Sequence, residues 1–528
     1  SADDIWRVYN TYLRDKPYVL TSFVPKGGVD LVAQDSERFP IKEESAQEQT
    51  GVQAAQATPA DVDVSDIPSS FDRSVMPASG PTPLITLPDI WEGTTANGVK
   101  VLGIAHHELP LVQFRIRIKG GLLLDELGKE GQAGLTARLM KEGTHSKTPI
   151  ELQEAIDELG AGISVSAGQE ALTVSARCLV SELDQVVELV REILLEPRWD
   201  SKEFARIKQQ TLESIRRSKD NPAPVADIVF DRLVYGHEHR LAGRVQGTES
   251  SVTSITLDDL KRFYAANLSP SVADIAIAGD LSQAQALKVF ERLDAWEARS
   301  VDLPKLPQPQ KPAKTQLYFV DFPNAKQSQL RIGHLAPAYT HPDYFGATVM
   351  NYKLGGSFNS VLNMILREEK GYTYGARSSF SGSHYPGAFS ASSGVRSSAT
   401  LDSLRIVRDE LAKYRQGIPE ADLQFTKDAL TKSNTRAFET LDALLGMLNR
   451  IATYDLPHDY VKQREKIVQG MTLTEHKRLA QQYIHPDRTI YLVVGDAKTQ
   501  LAGLKELDMG EPILLDKDGK ILQDTADN

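Results

Sequence analysis

Leu257-Asp258-Asp259-Leu260-Lys261-Arg262-Phe263-Tyr264 and Leu473-Thr474-Glu475-His476-Lys477-Arg478-Leu479-Ala480 lie one fixed offset apart, 473 − 257 = 216 residues. The first continues through Pro270 to Ile275-Ala276-Ile277-Ala278-Gly279-Asp280. The second continues through Pro486 to Tyr491-Leu492-Val493-Val494-Gly495-Asp496. The pairs Leu257/Leu473, Lys261/Lys477, Arg262/Arg478, Pro270/Pro486 and Gly279/Gly495 keep the offset without a gap. Each copy reads as a helix, a proline turn and an apolar strand, so the chain holds an internal duplication. The proline-dense stretch Leu303-Pro304-Lys305-Leu306-Pro307-Gln308-Pro309-Gln310-Lys311-Pro312 lies between the copies and reads as an extended linker.

Outward from the repeat, each copy mixes strands and helices. Phe114, Ile116 and Ile118 alternate with Gln113, Arg115 and Arg117, which predicts a half-buried strand. Ile163–Ala167 and Leu172–Ala176 flank a turn and predict a hairpin. Ser181 is placed to cap a helix with Leu183, Val186, Val187, Val190, Ile193 and Leu194 along one face. Thr400 is placed to cap another, carrying Leu401, Leu404, Val407 and Leu411. Hairpins followed by helices predict an α+β fold of layered sheets and helices.

The N-terminus adds a fragment. Asp4-Ile5-Trp6-Arg7-Val8-Tyr9-Asn10-Thr11-Tyr12-Leu13 matches Asp259–Leu268, and an apolar strand is expected at Val19–Val24. Residues 1–35 therefore read as the tail of a further repeat, from a longer precursor or built to complete a partner. Residues 36–75, including the aperiodic stretch Glu43–Asp66, read as a flexible linker. The domains expected after it are residues 76–300 and 316–528, with the proline-rich linker at 301–315.

Composition narrows the function. The chain has 528 residues, 41% of them hydrophobic, and a formal net charge of −11. That balance argues against nucleic acid, which calls for a basic surface. No apolar run approaches the roughly 20 residues of a membrane helix. The single cysteine, Cys178, sits in an apolar alternation and reads as a small core residue.

Two residues stand out chemically. In Leu354-Gly355-Gly356-Ser357-Phe358 through Leu366-Arg367-Glu368-Glu369-Lys370-Gly371-Tyr372-Thr373-Tyr374, Arg367 and Tyr374 offer a permanent cation and a phenol donor. Such a pair suits a peptide carbonyl or an oxyanion. Gly355 and Gly356 read as a tight loop that lets a substrate backbone approach. His106-His107-Glu108 and His237-Glu238-His239 read as loop residues rather than metal ligands.

Over about residues 80–510 the chain resembles the M16 family of zinc metallopeptidases: insulinases, mitochondrial processing peptidases and bacterial two-subunit peptidases. The resemblance implies two homologous domains forming half of a clam-shell. In active halves an H-x-x-E-H motif holds zinc and activates water. Here Gly131–Thr144 aligns with that motif without its ligands: Gly134 and Arg138 occupy the histidine positions and Ala137 the glutamate position. Glu213, near the expected third ligand, reads as a helix-face charge. No metal or cofactor is expected in this chain, and zinc is expected in a partner half.

The stretch around Arg367 and Tyr374 resembles the family's L-G-G-x-x-S-x-L…L-R-E-x-x-G-x-x-Y signature. By resemblance the pair would bind the scissile carbonyl opposite a partner's zinc, with Gly355 and Gly356 binding substrate. The implied function is the zinc-free half of a peptidase heterodimer, inactive alone, cutting unfolded peptides in a closed chamber. The alternative is a non-catalytic scaffold or peptide-binding subunit. By resemblance the expected compartment is a bacterial periplasm.

Overall fold

The computed structural model describes residues 2–25, 27–34, 72, 80, 86–310, 314–433 and 438–522. Ser1–Ser79 and Gly80–Asn528 are two compact units. In the first, Ala2–Tyr12 form a helix with no buried residue, and Ile5, Trp6, Tyr9 and Tyr12 are exposed. The strand expected at Val19–Val24 is absent: those residues are irregular. A strand is stable only beside a partner, and no described residue of this unit supplies one. The aperiodic stretch Glu43–Asp66 lies outside the described residues.

The second unit holds two six-stranded mixed sheets. The first comprises β1 (Trp91–Thr94), β2 (Lys100–Ala105), β3 (Leu111–Lys119), β4 (Gly162–Ala167), β5 (Ala171–Leu179) and β6 (Ala273–Gly279). Its order is β1-β2-β6-β3-β5-β4. The second comprises β7 (Gln316–Asp321), β8 (Gln327–Ala338), β9 (Thr373–Phe380), β10 (Pro386–Arg396), β11 (Ile490–Gly495) and β12 (Ile513–Leu515). Its order is β12-β7-β11-β8-β10-β9. The repeated strands β6 and β11 take the same slot, parallel to one neighbour and antiparallel to the other. The helices before them, Leu257–Asn267 and Leu473–Tyr483, start alike, with Thr256 and Thr472 accepting from Asp259 N–H and Glu475 N–H. The β4–β5 hairpin forms as expected.

Each sheet buries one face under its own domain's helices. Val186, Val190 and Ile193 of helix Leu183–Leu195 join Phe114, Ile116 and Val174 in the first core. Cys178 belongs to that core, and burial pushes its thiol up to about 12. The opposite face is covered by the other domain. Leu444, Leu445 and Leu448 of helix Leu441–Tyr454 lie on Leu102, Ile104, Ala276 and Ala278. Reciprocally, Val225, Val229 and Phe230 of helix Pro222–Tyr235 lie on Ile490, Leu492 and Val494. At about 1.5–3 kcal/mol per buried leucine, the three leucines contribute about 5–9 kcal/mol, comparable with a whole domain's net stability.

This exchange corrects the reading of β3. It is buried on both faces, not one: Gln113 and Arg117 are each 7% exposed. Arg117 is tolerated there because Asp274 and the Ala452 carbonyl take its donors. Two expected caps are also corrected. Ser181 lies inside a 3₁₀ turn and donates to Glu182, so it does not cap the following helix. Thr400 is the first helical residue, and its hydroxyl donates to Ser328 and the Ser397 carbonyl instead. The stretch 301–310 is irregular, and Tyr385 and His239 hydrogen-bond to its carbonyls at Pro304 and Pro307.

Candidate functional site

Arg367 and Tyr374 are carried by two adjoining elements at the β9 edge of the second sheet. The chain leaves a π-helical turn at Tyr352–Gly356, passes Phe358, and re-enters a short helix at Val361–Asn363. A second π-helical turn, Met364–Glu369, bears Arg367. Wide turns of this kind cost hydrogen-bond geometry and concentrate at functional sites. Gly371, at φ +62°, reverses the chain into β9, where a left-handed residue without a Cβ carries no steric cost.

β9 then carries a bulge. Ser393 pairs with Ala376 but Val395 pairs with Thr373, so Gly394 alone opposes both Tyr374 and Gly375. The hydroxyls of Thr373 and Ser393 both donate to the Gly375 carbonyl, fixing the extra residue. Alternation along β9 would send Tyr374 to the buried face with Ala376, Ser378 and Phe380. The bulge breaks that alternation and turns the ring out, to 90% exposure. Its hydroxyl takes part in no hydrogen bond among the described residues.

Arg367 is mounted on an aromatic base. Its guanidinium lies over the Phe358 ring, 4.7 Å from the centroid, and Nε is 3.2 Å from Glu368 Oε1. Cation–ring contact at an exposed site contributes about 0.5–1 kcal/mol and restrains the side chain. Its terminal nitrogens make no hydrogen bond among the described residues, leaving them free for an incoming acceptor.

The two glycines differ. Gly355 is buried, and a Cβ there would come within 2.2 Å of Ser378 N and Oγ in β9. Its small size therefore admits the chain's own strand. Gly356 is exposed, and a Cβ would meet nothing closer than 3.4 Å. Of the two, Gly356 alone presents open backbone to the surroundings.

The residues expected at the zinc-motif positions lie on helix Gln132–Met140 of the first domain. Gly134, Ala137 and Arg138 share one face of it and line a cavity of about 230 Å³ with Val165, Thr211 and Val245. A Cβ on Gly134 would sit 2.5 Å from the Val245 carbonyl oxygen, so the Val245 loop fills the space of a first ligand. Ala137 is fully buried and offers no polar atom. Arg138 donates to Thr211 Oγ1 at 2.6 Å and to Gln210 Oε1 at 2.9 Å. A guanidinium repels a divalent cation and has no lone pair to give it. Glu213 is exposed and accepts from Gln209. These residues do not fit a zinc ion. Among the described residues no group of three His, Cys, Asp or Glu could hold a metal. His107 pairs with Asp280, while His237 and His239 meet main-chain carbonyls.

Residues 100–237 match the family described as insulinase, peptidase family M16. Residues 254–430 match the one described as peptidase M16 inactive domain. The chain belongs to the M16 peptidase family. An uncharacterized zinc protease of Streptomyces coelicolor is 25% identical over 325 residues, 60% of this chain and 70% of that protein. A non-peptidase homolog of Helicobacter pylori is 22% identical over 409 residues, 76% of this chain and 92% of that protein. A crystal structure of a peptidase M16 inactive domain from Pseudomonas fluorescens aligns with a TM-score of 0.73 at 27% identity. It covers 78% of this chain and 99% of the other. The α+β architecture and the M16 membership thus agree with the sequence reading.

Phe358, Asn363 and the bulge belong to no motif in the sequence. An asparagine inside Val361-Leu362-Asn363-Met364 was the available signal, since an amide in an apolar run implies a specific partner. Among the described residues no helix is long and apolar enough to cross a membrane.

Proposed function

We propose that this chain is the zinc-free half of a two-part M16 metallopeptidase, inactive until a half bearing H-x-x-E-H joins it. The metal and its water belong to that partner. This chain contributes two donors to the reacting peptide. Arg367 binds the scissile carbonyl and the oxyanion that develops on it, and Tyr374 donates a hydrogen bond to the same oxygen. The observation that carries this reading is the paired presentation of the two side chains. A bulge exists to turn Tyr374 outward, and Phe358 carries Arg367 with its terminal donors unspent. Neither arrangement serves the core.

Unfolded peptides are the substrates this reading favours. An extended chain can add to a sheet edge through main-chain hydrogen bonds. β4 is such an edge, paired on one side only, and its residues Val165–Ala167 border the cavity beside Gly134 and Arg138. A bacterial periplasm is the compartment to which the family resemblance points.

The second reading is a non-catalytic M16 scaffold, favoured by the relative named a non-peptidase homolog. One experiment separates them. An unstructured fluorogenic peptide is incubated with this chain, with an H-x-x-E-H half, and with their mixture. Hydrolysis by the mixture alone, lost on Arg367→Ala, supports the peptidase half. A mixture no faster than the zinc-bearing half alone supports the scaffold.

A further inference from the structure

Asn363 sits between the turn that bears Phe358 and the turn that bears Arg367, and it is 4% exposed. Its Oδ1 accepts from the Ala376 N–H at 3.1 Å. Its Nδ2 donates to the Phe358 carbonyl at 2.8 Å. Ala376 is the first residue past the bulge that exposes Tyr374. Its N–H points out of the sheet edge, where no strand follows β9. One carboxamide therefore fastens both backbone segments that present the site. One segment supports the ring under Arg367, and the other carries Tyr374.

Only an amide meets both demands, because one end must accept and the other donate. A carboxylate would keep the Ala376 bond but set an oxygen against the Phe358 carbonyl. An aliphatic side chain of the same size would leave the buried Ala376 N–H unpaired and release the Phe358 carbonyl. We propose that Asn363 is a positioning residue that holds Arg367 and Tyr374 in register with each other. The proposal rests on the peptidase reading above.

The test uses Asn363→Leu, which removes both bonds, and Asn363→Asp, which spares the one to Ala376. Hydrogen exchange on the chain alone is expected to speed up at the Ala376 amide in Asn363→Leu and to stay unchanged in Asn363→Asp. In the assembled enzyme, kcat on an unstructured fluorogenic peptide is expected to fall about 10- to 100-fold in both variants, with KM little changed. On a double Arg367→Ala, Tyr374→Phe background, Asn363→Leu should cost almost nothing further, since its effect passes through those two side chains.

Unchanged Ala376 exchange in Asn363→Leu overturns the clamp. Unchanged kcat with faster exchange overturns the positioning role. So does a loss that simply adds to that of the Arg367→Ala, Tyr374→Phe double variant. A crippled Arg367→Ala beside an active Asn363→Leu sinks this inference alone. A fully active Arg367→Ala sinks the peptidase reading as well.

Discussion

Writing a zinc motif into helix Gln132–Met140 should fail, by an amount that follows from its packing. The perturbation is Gly134→His with Ala137→Glu and Arg138→His, which writes H-x-x-E-H onto the helix. The first Cβ would lie 2.5 Å from the Val245 carbonyl oxygen, 0.9 Å inside the 3.4 Å at which ordinary contact begins. A backbone carbonyl must move, and overpacking of this kind costs about 1–3 kcal/mol. The glutamate would enter a fully buried position beside the first core. An unpartnered polar group there costs about 1–3 kcal/mol more. Losing Arg138 also releases its bonds to Thr211 and Gln210, at about 0.5–1.5 kcal/mol each. The triple variant should therefore lose roughly 3–9 kcal/mol. Gly134→Ala alone should lower Tm by about 1–3 °C, taking about 1 °C per kcal/mol for one cooperative unit of this size. Calorimetry and zinc content after dialysis against micromolar zinc check both. One bound zinc per chain with an undiminished Tm would refute the argument that the Val245 loop closes the site.

Arg367→Ala and Tyr374→Phe should each slow the assembled enzyme by about 10²- to 10³-fold, the usual loss for one oxyanion donor. The thermal midpoint of this chain should stay put for Tyr374→Phe, whose ring is exposed, and fall by no more than about 1 °C for Arg367→Ala, which gives up the Phe358 contact; steady-state kinetics beside a melting curve checks this. Gly355→Ala should destabilise by about 1–3 kcal/mol, as its Cβ would overlap Ser378 at 2.2 Å, read from urea unfolding. His334 gives a pH dependence. Burial pushes its imidazole down to about 3 from the ordinary 6.5. The neutral ring donates from Nδ1 to the Leu335 carbonyl and accepts the His485 N–H at Nε2. A lowered value means its contribution is complete above pH 6.5 and is lost as pH falls toward 3, at up to about 1.4 kcal/mol per pH unit. His476, pushed down to about 4 by burial, acts in the same direction. The urea midpoint should thus fall with acidification, and His334→Phe should flatten that slope.

The duplication was legible because helix and strand periodicities survive in a single sequence. Leu257 and Leu473 open matching helices, and Gly279 and Gly495 close matching strands. The burial of β3 was not legible. Gln113 and Arg117 look like a solvent face until a helix from more than 300 residues later covers them. That is long-range packing, which no local pattern encodes. In the site, Arg367 and Tyr374 could be picked out by type and spacing. The outward turn of Tyr374 could not, because a bulge depends on the partner strand's register as much as on its own residues. Gly355 illustrates the same limit. A glycine announces that something comes close, and only the fold shows that it is Ser378.

The exchange of helices between the two domains also bears on how the chain can be cut. Helix Leu441–Tyr454 and helix Pro222–Tyr235 each belong by sequence to one domain and by contact to the other. A protease that nicks the irregular stretch at residues 301–310 would sever the covalent link and release nothing. Each fragment would still hold the other's sheet, and separation would require stripping both apolar faces into water. The nicked protein should migrate as one particle in native conditions and as two in denaturant. The two domains are thus one cooperative body, and truncation at the duplication boundary would yield fragments that aggregate rather than half-proteins that fold.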